Sequence, residues 1–331
     1  MTVRAIILSV FIFITFAFQS AQAGPVSDRI RERIRERIHE RIKEERESPE
    51  VEKPPTSQDP VKSINVHGVE RQYLLHLPPS YERSSGKLSL VLFFHGGKSK
   101  AERMDRLTGF NAEADENNFV IVYPKGINER WNDGRGSELA TADDIGFVRA
   151  LIDQLVQDYR IDPARVYATG ISNGAILSHC LACELSDKIT AIASVAGTMP
   201  TNVAQNCRPS RPVAVLMIHG TKDPLILWEG GTGNKKGQIG GSTLSVTETI
   251  QFWASKNGCD TTPQSTPVRD LVEDGTTTTR EEYCPKVVLY KVIDGGHTWP
   301  GGRQYLPETI IGKTSQDFDA TKLIWEFFSN S

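Results

Sequence analysis

Hydrophobic and polar positions along the chain follow three successive patterns. From Asp28 to Lys43, isoleucine returns at every fourth position (Ile30, Ile34, Ile38, Ile42) between arginines and glutamates. On a helix that spacing drifts about 40° per repeat and draws one thin apolar stripe. Opposite charges fall at i,i+3, as in Arg33 with Glu36 and Glu40 with Lys43. The pattern predicts a solvated helical arm. Glu50 to Val61 then carries Pro54, Pro55 and Pro60, which end any helix and make a linker. Beyond Val61 short β-type runs alternate with helical periodicity.

In that third regime, Ser63–His67 and Arg71–Leu77 alternate as antiparallel edge strands. Leu88–Phe94 and Val120–Tyr123 are continuously apolar, as strands covered on both faces are. Met104–Asn117 reads as helix, and Asp144–Tyr159 places Ile145, Val148, Leu151, Ile152 and Leu155 on one helical face. Val166–Ala168 is a short strand that turns into the helix-forming run Ala175–Leu185. Strands at Ile189–Val195, Val213–Ile218 and Val287–Ile293 follow, with helices at Thr243–Lys256 and Asp317–Phe328 and a glycine-rich loop at Gly230–Gly241. Strands alternating with helices predict an α/β fold, a mostly parallel sheet with helices on both faces.

The chain ends narrow the picture further. Arg4 precedes an uncharged run of fourteen residues, Ala5–Phe18, and Ala21-Gln22-Ala23 follows. That run is short for a membrane span and fits a signal peptide over residues 1–23. The expected organisation is therefore a signal peptide, a charged arm and linker over 24–60, and a catalytic domain over 61–331. The mature protein is expected to be secreted or periplasmic, without stable membrane insertion. A net charge of −3 gives no reason to expect a nucleic-acid partner. Export permits disulfides, and five cysteines leave one thiol over. No Cys/His cluster has ligand spacing, so neither metal nor cofactor is expected.

The candidate chemistry starts at Gly170-Ile-Ser-Asn-Gly174. A strand reversing into a helix within five residues sets Ser172 at a strained apex, above a helix N-terminus that favours negative charge. A serine hydroxyl needs a base, and the base an orienting acid, in the chain order Ser, acid, His. Asp223, Glu229 and Asp294 stand at strand ends. Asp223 follows a buried strand and is stiffened by Pro224, whereas Asp294 suits bracing its own loop. His297 lies in a glycine-flanked loop after the last strand; His219 belongs to a strand end and reads as structural. The assignment is nucleophile Ser172, base His297 and acid Asp223. Oxyanion donors are expected from the backbone N–H of Asn173 and from the Gly96-Gly97 loop. Thr141-Ala-Asp-Asp144 reads as a helix capping box.

His95-Gly-Gly97, Trp131, Asp143-Asp-Ile-Gly-Phe147, Gly170-Ile-Ser-Asn-Gly174, His219-Gly-Thr-Lys-Asp223 and His297-Thr-Trp-Pro-Gly-Gly302 together resemble the exported polyhydroxybutyrate depolymerase/feruloyl esterase family of α/β-hydrolases. The resemblance covers Val61 to the C-terminus; the charged arm lies outside it. It implies the same triad, a substrate cleft lined by His95, Trp131 and Trp299, and the bridges Cys183–Cys207 and Cys259–Cys284, each closing a modest loop. The implied activity is hydrolysis of short-chain or aromatic acyl esters, polymeric substrates included. The connections from Val120 to Asp144 and from Ile189 to Val213 are too short for a large lid and carry no amphipathic apolar stripe, so an open cleft is expected. A peptidase of the same fold, or a non-catalytic envelope protein making coiled-coil or envelope contacts through residues 28–47, are the alternatives.

Overall fold

A computed structural model describes residues 59–83, 85–136, 141–232 and 241–331. The expected signal peptide, the charged arm and most of the glycine-rich loop lie outside these residues.

Among the described residues ten strands form one sheet. In chain order they are β1 (Val61–Val66), β2 (Val69–His76), β3 (Leu88–Phe94), β4 (Val120–Pro124), β5 (Ile161–Ile171), β6 (Ala191–Val195), β7 (Ala214–Gly220), β8 (Gln264–Pro267), β9 (Thr277–Cys284) and β10 (Val287–Ile293). Their spatial order is β1-β2-β4-β3-β5-β6-β7-β10-β9-β8. The central run β4-β3-β5-β6-β7-β10 is parallel, and the wings β1-β2 and β9-β8 are antiparallel.

The continuous apolar runs become central strands because both faces of the sheet are covered. Alternate residues of β3 enter opposite cores. Leu90, Leu92 and Phe94 pack with Phe147 and Leu151 of α3 (Asp144–Asp158), Leu177 and Leu181 of α4 (Asn173–Glu184), and Ile250 and Trp253 of the later helix Val246–Lys256. Val91 and Phe93 pack with Met104 of α1 (Met104–Thr108), Phe110 and Ala114 of α2 (Phe110–Asn117), and Ile324 and Phe328 of the terminal helix Ala320–Ser329. Between these come α5 (Thr201–Asn206), then Val246–Lys256 as α6, α7 (Glu308–Ile311) and Ala320–Ser329 as α8.

Three local features differ from the sequence expectation. The helix expected over Met104–Asn117 breaks at Gly109, whose φ of +73° ends α1 and whose N–H donates to the Asp105 carbonyl. The strands β8 and β9 lie outside the sequence expectation, because every residue of β8 is exposed and β9 runs three threonines into Arg280, Glu281 and Glu282 with no apolar alternation. Helix α8 begins after Asp319, which caps Thr321 and Lys322. Asp317, the expected start, instead accepts the N–H groups of Leu271 and Val272.

The bridges Cys183–Cys207 and Cys259–Cys284 are present. The first ties the end of α4 to the residue after α5, and the second ties the turn that follows α6 to the end of β9. Cys180 is left as a buried free thiol. No helix among the described residues is long and apolar enough to cross a membrane.

Candidate active site

Strands β5, β7 and β10 run parallel, so the loops leaving their C-terminal ends emerge at one edge of the sheet. Ser172, Asp223 and His297 lie on those three loops.

Ser172 separates β5 from α4 with φ 58° and ψ −121°, a left-handed conformation costly for a residue with a Cβ. The turn is held from both sides. Its N–H donates to the Val195 carbonyl at 3.0 Å, and its carbonyl accepts the Ile176 N–H at 2.9 Å. A Cβ on Gly170 or Gly174 would overlap the Phe94 carbonyl, so the turn can close on β3 only with glycine at both positions. Ile171 and Asn173 are buried, while Ser172 is partly open to solvent.

His297 Nδ1 lies 2.7 Å from Asp223 Oδ2 across 74 residues of chain. The other carboxylate oxygen, Oδ1, accepts the N–H groups of Leu225 at 2.8 Å and Ile226 at 2.9 Å. Burial alone would raise the Asp223 carboxyl. The charge and hydrogen bond of His297, the neighbouring His219 and the Ile226 N–H outweigh burial and hold it below the usual carboxylate range. An ionised carboxylate only accepts, so Nδ1 of His297 carries the proton and Nε2 is left as the basic nitrogen. The His297 loop is itself pinned. The His297 N–H donates to the Ile311 carbonyl at 2.5 Å, and the Tyr305 hydroxyl donates to the His297 carbonyl at 2.7 Å.

The other candidate acids are not brought to this ring. Glu229 is exposed, and Asp294 pairs with Lys222 at 2.7 Å in solvent. His219 donates through Nε2 to the Ile226 carbonyl at 2.9 Å and stays 3.6 Å from Asp223, and burial lowers its pKa. It holds the loop that carries Asp223. The Gly96-Gly97 loop does reach the elbow: a Cβ on Gly96 would lie 3.6 Å from Ser172 Cβ, and one on Gly97 3.5 Å from Asn173 Cβ.

The cleft-lining expectation needs correction. Trp131 and Trp299 are each 1% exposed, and His95 is equally buried. Trp131 donates through Nε1 to the His95 carbonyl at 2.9 Å and packs on Phe94 and His95. Trp299 donates to Thr321 Oγ1 at 3.1 Å between Phe93 and Phe110. His95 spends one nitrogen on the Gly96 carbonyl and the other on the Gly126 N–H. The large apolar area of each indole is better used as a floor beneath the loops than as a wall open to water. The capping residue also shifts by two positions. Asp143, not Thr141, accepts the Gly146 N–H at 2.8 Å, while Asp144 is buried against Arg71 at 2.6 Å and the Asn132 N–H at 2.7 Å.

One residue escaped sequence reasoning altogether. Asp133 Oδ2 accepts from Asn173 Nδ2 at 2.6 Å, and no spacing or periodicity marks that contact.

A mostly parallel sheet between two helical layers, with a strained serine at a strand-to-helix turn and an Asp–His pair at the same edge, defines an α/β-hydrolase. The family model described as Esterase PHB depolymerase, PHB being polyhydroxybutyrate, matches residues 71–230. The protein named "Putative esterase NocK" from Nocardia uniformis subsp. tsuyamanensis is 32% identical over 281 residues, covering 80% of this chain and 81% of its own. Feruloyl esterase C from Emericella nidulans is 28% identical, covering 76% of this chain and 83% of its own. An acetyl xylan esterase from Aspergillus awamori shares the fold at 13% identity, with a TM-score of 0.56 over 82% of this chain and 100% of that one. The chain belongs to the PHB depolymerase esterase family and is a carboxylic ester hydrolase.

Proposed function

We propose that this hydrolase is an exported serine esterase that works through an acyl-enzyme on short-chain or aromatic acyl esters. The observation that carries the mechanism is the Asp223–His297 hydrogen bond, at the sheet edge where the strained Ser172 emerges. His297 Nε2 takes the Ser172 proton as Oγ attacks the ester carbonyl, and Asp223 steadies the imidazolium that forms. The backbone N–H of Asn173 and those of the Gly96-Gly97 loop receive the oxyanion. The same histidine then delivers the proton to the departing alcohol, and water repeats the sequence to release the acid.

The name of the relative feruloyl esterase C and the family description support feruloyl or acetyl polysaccharide esters, or soluble 3-hydroxybutyrate oligomers, as substrates. The connection between β6 and β7 carries only the short α5, closed off by the Cys183–Cys207 bridge, which supports an accessible cleft. Two disulfides suit an oxidising compartment and, with the signal-like N-terminus, support export.

Ser172→Ala is expected to lower kcat on p-nitrophenyl acetate by on the order of a millionfold, because triad members act as a unit. Retention of more than a few per cent of turnover in a clean preparation removes the mechanism. Rates on methyl ferulate, an acetylated xylan fragment and a 3-hydroxybutyrate dimer rank the acyl groups. A rate that jumps when a long-chain triglyceride passes its solubility limit contradicts the open cleft.

A further inference from the structure

We infer that the loop from Trp131 to Arg135 sets the geometry of the oxyanion hole, with Asp133 as its positioning residue; the inference rests on the serine mechanism proposed above.

The backbone N–H of Asn173 is useful only if the peptide after the strained serine is held in one orientation. The Asn173 side chain supplies that hold through its hydrogen bonds to the loop at Trp131 and Asp133. Its Oδ1 accepts the Trp131 N–H at 2.9 Å, and its Nδ2 donates to the Trp131 carbonyl at 3.1 Å and to Asp133 Oδ2 at 2.6 Å. Both donors and one acceptor lone pair of the amide are thereby engaged with one short segment. The same segment also touches the other half of the hole. The Trp131 indole donates to the carbonyl of His95, the residue immediately before Gly96-Gly97. One loop therefore links the carriers of both expected oxyanion donors, which otherwise leave two different strands.

The loop is in turn anchored. The Asn132 N–H donates to buried Asp144, which is paired with Arg71. Asp133 is buried, and a carboxylate pointing at Asn173 would oppose an oxyanion developing nearby. Arg135 answers that charge. Its Nε and Nη2 meet Asp133 Oδ2 at 2.9 and 2.7 Å, and its backbone N–H meets Oδ1 at 3.2 Å. The pair acts as one neutral brace behind the hole.

The brace is tested by kinetics on p-nitrophenyl acetate, with a fluorophosphonate titration to count folded active sites. Asp133→Ala is expected to lower kcat per titrated site by about 10- to 100-fold, less than the loss of a whole oxyanion donor, with KM within about twofold. Affinity for phenylboronic acid, which forms a tetrahedral serine adduct, is expected to fall in proportion to kcat/KM. Asp133→Asn keeps an acceptor for Asn173 and is expected to recover most of the rate. Arg135→Gln strands the Asp133 charge and is expected to slow turnover about tenfold, and adding Asp133→Asn to that variant is expected to restore it. A raised KM at unchanged kcat, an unaltered boronic acid affinity, or an Asp133→Asn/Arg135→Gln enzyme slower than Arg135→Gln alone overturns the inference. If Asp133→Ala yields no folded sites, the Arg135 pair of variants decides. Turnover surviving in Ser172→Ala would instead condemn the underlying serine mechanism, separately from the brace.

Discussion

Two buried carboxylates, Asp223 and Asp144, lie in similar surroundings, yet their carboxyls are shifted in opposite directions from the usual range. Each accepts at least one backbone N–H, Asp223 from Leu225 and Ile226 and Asp144 from Asn132. Asp144 faces the guanidinium of Arg71, yet burial keeps its carboxyl above the usual range. Asp223 faces an imidazole, and there the interactions overcome burial and bring it below. The partners account for the use each site can make of its charge. A guanidinium stays charged, so the Asp144 pair is a static tie between β2, the loop at Asn132 and α3. In the mechanism proposed above the imidazole changes charge during turnover, and the Asp223 pair would strengthen as the ring takes up the serine proton.

The contrast breaks most sharply at Asp223. Asp223→Asn is expected to lower kcat by about four orders of magnitude, through the wrong imidazole tautomer, while the melting temperature moves little. If Asp294→Asn proves the more damaging change, the acid is elsewhere. Asp144→Asn should do the reverse. Stranding Arg71 without its anion is expected to cost about 3–5 kcal/mol in urea unfolding, with kcat per folded molecule within a few-fold. Normal stability in that variant would remove the distinction between the two sites.

Buried histidines sharpen the comparison from the other side. Burial lowers the pKa of His95, His219 and His179, the last to about 3. The unfolded chain binds these protons first as pH falls. Their contribution to stability is therefore complete above about 6.5 and is lost as pH drops from there toward 3. His179 Nδ1 accepts from Trp253 Nε1 at 3.0 Å, so His179→Gln keeps an acceptor while removing the titration. Urea midpoints between pH 7 and 4.5 are expected to fall less steeply in this variant, and an unchanged slope would exclude His179 as a contributor.

The smallest effect is expected at the N-terminal arm. Asp59 is bonded to His76 at 2.8 Å, so a deletion of Ser27–Ser57 spares that pair. We expect kcat on a soluble ester to stay within about twofold, because Ser172, Asp223 and His297 all lie on loops that leave strands of the sheet that follows. A tenfold loss would show that the arm acts on the hydrolase.

What the sequence disclosed followed from contiguity. Gly170 and Gly174 frame Ser172 within one turn, and the close approach that demands them involves the end of the neighbouring strand, His95 just beyond it and the turn's own backbone. Asp223 and His297 were legible one step less directly, from their places just beyond two apolar runs that become parallel strands. Depth was not legible. Trp131 and Trp299 lie beside the right motifs, yet whether an indole walls a cleft or floors it depends on loops packed over it from elsewhere. Asp133 could not be read at all, because its link to Asn173 spans 40 residues and leaves no periodic trace. The β8-β9 wing was equally hidden, since β8 is exposed throughout and the threonine, arginine and glutamate run of β9 carries no apolar alternation.

Cys180 sits one helical turn before Cys183 on α4, so before folding either thiol can attack a bridge to Cys207. Thiol–disulfide exchange runs through the thiolate, and burial of Cys180 pushes its thiol well above the ordinary cysteine range. Its S–H is also engaged with the Asp133 carbonyl at 3.0 Å. With α4 seated on the sheet, burial and the Asp133 contact therefore both disfavour the thiolate that exchange with the Cys183–Cys207 bridge requires.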